Sequence, residues 1–301
     1  MKRVLIDLSY LAYRAKHSMA GLTHEDYHTG IIYGFFEQLR TICQDPKVNS
    51  NRILVFFDSR KSYRRKAYPE YKSKRHEDKT DEEWKQLSIM KDQVKLLYSL
   101  ILPEMGVPVY RQTGLEADDL MAWTVRKLTK MKESGIMITS DGDMYQCITP
   151  YVHWYDPARS RHMMEQNFQL RHNIHPGQWG EVKALGGCTS DNVAGIPGVG
   201  ELTAIKYLNG ALPETYKSYK AIVSKEGQAI VERNRPLVVL PHKKTKKLEL
   251  RDPEFNSERF FFYCERYGLV SYLKKKKRAG WISFFGGRTR RTLRKRGQRR
   301  G

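Results

Sequence analysis

Cysteine is scarce and scattered. The four in the chain (Cys43, Cys147, Cys188 and Cys264) form no C-x-x-C pair. That spacing argues against a zinc knuckle and a disulfide framework, and makes a reduced, cytoplasmic setting the expectation. Long apolar runs are also missing. Nothing approaches the ~20 consecutive apolar residues of a membrane span, and the opening Met-Lys-Arg-Val-Leu-Ile-Asp meets an acid too early for a secretory signal. No membrane partner is expected. Acid is absent from residues 274–301, where thirteen lysines and arginines fall; of the net charge of +21, this leaves about eight for the rest of the chain. Such a tail is expected to be disordered and to contact nucleic acid, with a solvated, solubilising tail as the alternative.

What is present is a chain of 301 residues with 40% hydrophobic and 11% aromatic content, enough to bury a substantial core. Short β-branched or apolar runs occur at Arg3–Ile6, Ile53–Phe57, Val107–Tyr110 and Ile136–Thr139, with a fifth at Tyr151–Tyr155. Longer helical patterns lie between them, for example over 30–43 and 84–101. This alternation predicts an α/β fold with a mostly parallel sheet flanked by helices. From 176 to 275 the pattern is mainly helical, with Gly and Pro at the turns. The expected division is therefore an α/β core over 1–175, a helical region over 176–275 and a basic tail over 276–301.

Carboxylates cluster at Glu116-Ala-Asp118-Asp119, Asp141-Gly-Asp143 and Asp191, joined by Asp7 and Asp58 after apolar runs. Any one Asp at a strand end is commonly a helix cap, but the group is harder to explain that way. Glu116 and Asp119 share a helix face, and like charges at contact distance repel by several kcal/mol even at an effective dielectric of about 20. Oxygen ligands without histidine companions favour Mg²⁺ or Mn²⁺ over zinc. Two such ions roughly 3.5–4 Å apart would suit phosphodiester hydrolysis. In open parallel sheets the functional crevice lies beyond the carboxyl ends of the strands, where Asp7, Asp58 and Asp141 fall.

Two basic features accompany the acids. Residues 60–83 interleave Arg60, Lys61, Arg64, Arg65, Lys66, Lys72, Lys74 and Arg75 with Tyr63, Tyr68 and Tyr71. With few aliphatic anchors, this segment is expected to project, pairing cations with phosphates and stacking rings on bases; an exposed charged loop is the alternative. Directly after Asp191 comes Gly195-Ile-Pro-Gly198-Val-Gly200, followed by a helical pattern from Glu201 that includes Lys206. Glycines that permit close approach ahead of a helix N-terminus make a phosphate-gripping hairpin of the helix-hairpin-helix kind.

The chain resembles the 5′-nuclease (flap endonuclease) family, especially the nuclease part of bacterial DNA polymerase I and stand-alone bacteriophage 5′-nucleases. The resemblance rests on Leu5-Ile-Asp7-Leu-Ser9, Val55-Phe-Phe-Asp58, Tyr68-Pro-Glu-Tyr71-Lys72-Ser-Lys-Arg75, Gly114-Leu-Glu116-Ala-Asp118-Asp119, Thr139-Ser-Asp141-Gly-Asp143 and the hairpin, which span residues 2 to about 210. It implies a PIN-like sheet with a helical arch and a helix-hairpin-helix (helix-3-turn-helix) region. Asp7, Asp58, Glu116, Asp118 and Asp119 would form a first metal site, and Asp141, Asp143 and Asp191 a second. Lys72 and Arg75 would act at the scissile phosphate. Tyr71, Arg64, Arg65, Lys74, Gly195, Gly198, Gly200 and Lys206 would contact DNA, and K⁺ would sit at the hairpin. Implied partners are DNA with 5′ flaps, nicks or ends, RNA-DNA hybrids, and a sliding clamp or single-strand-binding protein. The protein would act as a monomer, in a host cytoplasm if of phage origin.

One departure stands out. Family members often carry Gly-Asp-x-x-Asp-Asn where this chain has Gly187-Cys188-Thr-Ser-Asp191-Asn192. A thiol is a poor Mg²⁺ ligand, so a raised Mg²⁺ requirement with retained activity is expected. The tail's Trp281-Ile-Ser-Phe284-Phe285 resembles clamp-binding peptides but lacks their glutamine, and packing onto the body is the favoured reading. His172 and His175 read as surface residues, Met163, Met164 and Trp179 as core. The rival functions are a PIN-type ribonuclease, which needs neither hairpin nor arch, and a non-catalytic DNA-binding protein, which only Cys188 favours.

Overall fold

The computed structural model describes residues 2–19 and 21–286. Neither of its two compact units is contiguous in sequence. One comprises Met1–Phe57, Thr80–Tyr110 and the chain from Leu250; the other comprises Asp58–Lys79 and Arg111–Glu249.

In the first unit, the strand Arg3–Asp7 runs parallel to Arg52–Phe56, with Val4 opposite Ile53, and Arg52–Phe56 runs parallel to Val109–Tyr110. Val4, Leu5, Ile6, Ile53, Leu54, Val55 and Phe56 are all buried, as expected of strands covered on both faces. The helices Leu8–Met19 and Gly30–Gln44 pack so closely that a Cβ on Gly34 would lie 2.6 Å from that of Ala15. The helix Asp81–Leu96 is opened by a capping box between Thr80 and Glu83. The pattern expected over 84–101 continues it through a single π-helical stretch at Leu97–Ile101.

The start of the tail departs from the expected disorder and agrees with the favoured reading that Trp281 and its neighbours pack. Lys275–Gly286 is a helix whose Trp281 and Phe285 are buried. Trp281 meets Phe260 at 4.6 Å and Tyr272 at 5.5 Å between ring centroids, and Phe285 meets Phe260 at 5.1 Å. Aromatic burial here outweighs the dense positive charge that suggested disorder. The remainder of the expected tail lies outside the described residues.

In the second unit, Gly135–Ile138 pairs parallel with Val152–Asp156, which pairs antiparallel with Arg161–Met163. The last strand closes a hairpin that periodicity did not signal. The helix Ala117–Lys130 buries Leu120, Met121, Val125 and Leu128 and presents its acidic first turn at the other end. Two helices, Trp179–Gly186 and Glu201–Leu208, flank the short antiparallel pairing of Gly187–Cys188 with Val193–Ala194, and Lys225–Val238 packs beside them. Among the described residues, no helix is long and apolar enough to cross a membrane.

Candidate functional site

Seven of the expected carboxylates belong to the second unit, and local backbone accounts for their positions. Asp58 follows the strand Arg52–Phe56 and accepts a 2.8 Å hydrogen bond from the Ala117 N–H, which ties it to the first turn of Ala117–Lys130. Glu116 is the N-cap of that helix, and Asp118 lies in its first turn, where acids complement the helix dipole. Asp141 caps the 3-10 turn Gly142–Cys147 through the Asp143 N–H at 2.8 Å. Asp191 ends a second 3-10 turn, Thr189–Asp191. In the first unit, Asp7 closes its strand and accepts from the Tyr10 N–H at 3.2 Å, capping the helix Leu8–Met19.

The protein's own cations sit among these acids. Lys72 Nζ donates to Glu116 at 2.7 Å and lies 3.6 Å from Asp191. Arg75 donates to Asp191 at 2.8 Å. Lys183, which no sequence motif singled out, approaches Asp143 at 3.4 Å and Glu201 at 3.5 Å. Its position in the helix leading into Gly187-Cys188 was the available signal. The segment carrying Lys72 is latched in place: the Lys72 N–H donates to the Asp191 carbonyl at 2.8 Å, and Asn192 Nδ2 donates to the Glu70 carbonyl at 2.9 Å. Lys72 itself adopts left-handed backbone, φ 57°. Burial opposes its charge, but Glu116 and Asp191 outweigh this and hold the ammonium protonated above its ordinary range.

Acid also crowds acid. Burial and then the neighbouring Asp143 charge push the Asp141 carboxyl up to about 6. Ligand atoms of Asp143, Cys188 and Asp191 all lie within 4.8 Å of one another. Cys188 acts there as a protonated donor, 3.4 Å from Asp143 Oδ2 and 3.1 Å from Ser190 Oγ. Burial and the Asp143 charge push its thiol up to about 11. A carboxylate-rich set, one member of which resists ionising without a counter-charge, fits a hard divalent cation, with the thiol as its one soft member.

Three expectations are corrected. Asp119 is enclosed beside this cluster, its Oδ2 accepting from the Glu116 N–H at 3.2 Å. It is fully buried, accepting from Arg64 at 2.6 and 2.7 Å and from the His242 N–H at 2.7 Å. Arg64, expected on DNA, is its 2% exposed partner and also donates to the Leu237 carbonyl at 2.8 Å. Tyr71, expected to stack on a base, is buried with its hydroxyl 3.0 Å from both Glu116 and Asp191. The segment expected to project is thus anchored by polar side chains in place of aliphatic ones. Its cations Arg60, Lys61, Arg65, Lys66, Lys74 and Arg75 remain exposed.

In the hairpin, Gly198 has φ +76° in open space and Gly200 is likewise uncrowded. Gly195 serves packing, because a Cβ there would lie 2.2 Å from the Gly186 carbonyl carbon. Lys206 is exposed on the following helix. His172, read as a surface residue, stacks on Phe168 at 4.5 Å and meets Trp179 at 4.9 Å in an aromatic cluster, while His175 pairs with Glu165 at 2.9 Å.

Residues 2–173 match the family model of the 5′-3′ exonuclease N-terminal resolvase-like domain. The chain is 28% identical over 208 residues to a 5′-3′ exonuclease of Buchnera aphidicola, covering 67% of this chain and 68% of that protein. It is 32% identical over 208 residues to the thermostable DNA polymerase I of Thermus aquaticus, covering 68% of this chain but 23% of the polymerase. Among solved structures, it superimposes on the T5 D15 protein co-crystallised with metal ions with a TM-score of 0.68 at 21% identity, covering 80% of this chain and 90% of that one. On human GEN1 in complex with Holliday junction DNA the TM-score is 0.56 at 15% identity, covering 88% and 67%. These two likenesses concern the fold. The family model, which spans more than half of the residues, decides the assignment: the chain belongs to the 5′-3′ exonuclease family.

Proposed function

We propose that this protein is a divalent-metal-dependent, structure-specific 5′-3′ exonuclease and flap endonuclease, hydrolysing phosphodiester bonds near 5′ ends of branched or nicked DNA. The observation that carries this reading is Lys72, held 2.7 Å from Glu116 and 3.6 Å from Asp191 amid acids that suit a hard cation. Asp58, Glu116 and Asp118 would hold one Mg²⁺ or Mn²⁺, and Asp141, Asp143 and Asp191 another. Bound there, two such ions supply an activated water and charge stabilisation at the phosphoryl and leaving oxygens.

The chain's own residues do the rest. Lys72 and Arg75, pinned by the latch on Asp191, present preorganised positive charge where a phosphate would gain charge in the transition state. Tyr71 and Cys188 orient Glu116, Asp191 and Asp143 through hydrogen bonds. The turn of exposed Gly198 and Gly200 about the buried Val199, ahead of the helix Glu201–Leu208, would hold duplex backbone, with main-chain carbonyls offered to K⁺. RNA-DNA hybrids belong to the same substrate class, while a sliding clamp or single-strand-binding protein would be recruited in trans.

The test is a 5′-flap DNA labelled at its 5′ end, incubated with Mg²⁺, with EDTA, and with Lys72→Ala in Mg²⁺. A short labelled product near the junction, abolished by EDTA and reduced at least ~100-fold in the variant, is expected. Tight binding without product in wild type would replace this reading with the non-catalytic one.

A further inference from the structure

The segment Pro241-His-Lys-Lys-Thr-Lys-Lys247 carries four exposed lysines (243, 244, 246 and 247) in a turn held far more firmly than solvation of charge requires. Each end is fixed. The His242 N–H donates to Asp119 at 2.7 Å, and its ring stacks on Tyr63 at 5.7 Å and 12°. The Thr245 hydroxyl and N–H both donate to the His242 carbonyl, at 2.7 and 2.9 Å. Gln112 clamps Lys246 from both sides, donating to its carbonyl at 2.9 Å and accepting from its N–H at 2.9 Å. Lys244 Nζ lies 4.2 Å from the Tyr63 ring centroid. No carboxylate pairs with any of the four among the described residues.

We propose that this turn is a second grip on the nucleic-acid phosphate backbone, separate from the hairpin and positioned relative to the acidic cluster through Asp119. Asp119 is the shared node: its carboxylate takes the turn's His242 N–H and also Arg64, whose guanidinium lies 3.9 Å from Glu116. Side chains that met only solvent would need no such rigid frame, because solvated lysines gain nothing from a fixed backbone and lose entropy to it. A polyanion with regularly spaced charges gains from cations presented at fixed positions, and each phosphate neutralised releases counterions. The lysines add affinity without reading sequence. The inference rests on the nuclease reading for the identity of the polyanion.

The test compares wild type with a variant carrying Lys243→Ala, Lys244→Ala, Lys246→Ala and Lys247→Ala. A charge control carries Lys85→Ala and Lys95→Ala in the helix Asp81–Leu96. Binding is measured across salt concentrations on plain duplex, single strand and 5′-flap DNA, with EDTA present so that no cleavage intervenes. Each duplex phosphate that is no longer neutralised makes the slope of log affinity against log salt shallower by roughly 0.9, and each single-strand phosphate by about 0.7. The fourfold variant should give up about 2 to 3.6 of duplex slope, and on the order of 100-fold in affinity at about 0.1 M salt. In Mg²⁺, its KM should rise while kcat at saturation stays within about twofold. A deficit on duplex identifies the duplex arm as what the turn holds; one confined to flap and single strand identifies the 5′ strand. An unchanged slope while wild type binds, or an equal loss in the control, overturns the second grip alone. If wild type binds none of the three DNAs, the nuclease reading fails and takes the grip with it.

Discussion

Asp119 shows how a residue can match a motif and still do other work. In sequence it is one more acid beside Glu116 and Asp118; in the fold both its oxygens are occupied by Arg64 and the His242 N–H, with no exposed surface. Spacing could not reveal this, since the partner that claims it stands 55 residues earlier. Asp119→Asn should cost about 3–5 kcal/mol, because it strands a buried guanidinium, and thermal melting will read this out. Burial alone would raise the Asp119 carboxyl, but the Arg64 hydrogen bonds and charge overcome it and hold the group below its ordinary range. Its contribution is therefore complete above the unfolded value of about 3.9 and lost as pH falls through the lower folded value. Acid titration should show wild type losing stability in that window and Asp119→Asn losing much less. Cys188 is a second case. Its thiol donates to Asp143 where an acid was expected to ligate, so Cys188→Asp should lower the Mg²⁺ concentration at half-maximal cleavage several-fold. Identical midpoints would refute the view that the thiol weakens that site.

At the scale of elements, the strands were legible because β-branched runs declare themselves, and the glycine hairpin because its punctuation is dense. The segment 60–83 was only partly legible, for a physical reason. Few aliphatic side chains mark it, yet Arg64 and Tyr71 anchor it through buried hydrogen bonds and Lys72 through a part-buried one. Such bonds leave no hydrophobic periodicity to detect. The hairpin glycines divide similarly. Gly195→Ala would drive a Cβ into the Gly186 backbone and should cost about 1–3 kcal/mol as the helix Trp179–Gly186 gives way. Gly200→Ala meets open space and should leave melting unchanged. Equal melting temperatures for the two variants would contradict a packing role for Gly195.

For the molecule as a whole, composition was informative about charge and poor at placing its limits. The basic C-terminal run begins inside the fold, since Trp281 is fully buried beside Phe260 and Tyr272. Trp281→Ala should cost about 3–5 kcal/mol, read by denaturant unfolding; a near-neutral result would mean the helix Lys275–Gly286 contributes little to the core. The two compact units are assembled from segments distant in sequence, an arrangement that the order of residues along the chain does not announce.

Lys72 and Arg75 also give the molecule a resident set of counter-charges. In that arrangement they offset the charge of Glu116 and Asp191 from within the fold. A phosphodiester that drew the two cations toward itself would free those oxygens, and DNA and a divalent ion would then each favour binding of the other. Thermodynamic reciprocity then requires the factor by which DNA tightens Mg²⁺ to equal the factor by which Mg²⁺ tightens DNA. Calorimetric titration of Lys72→Ala should find that common factor reduced from both directions.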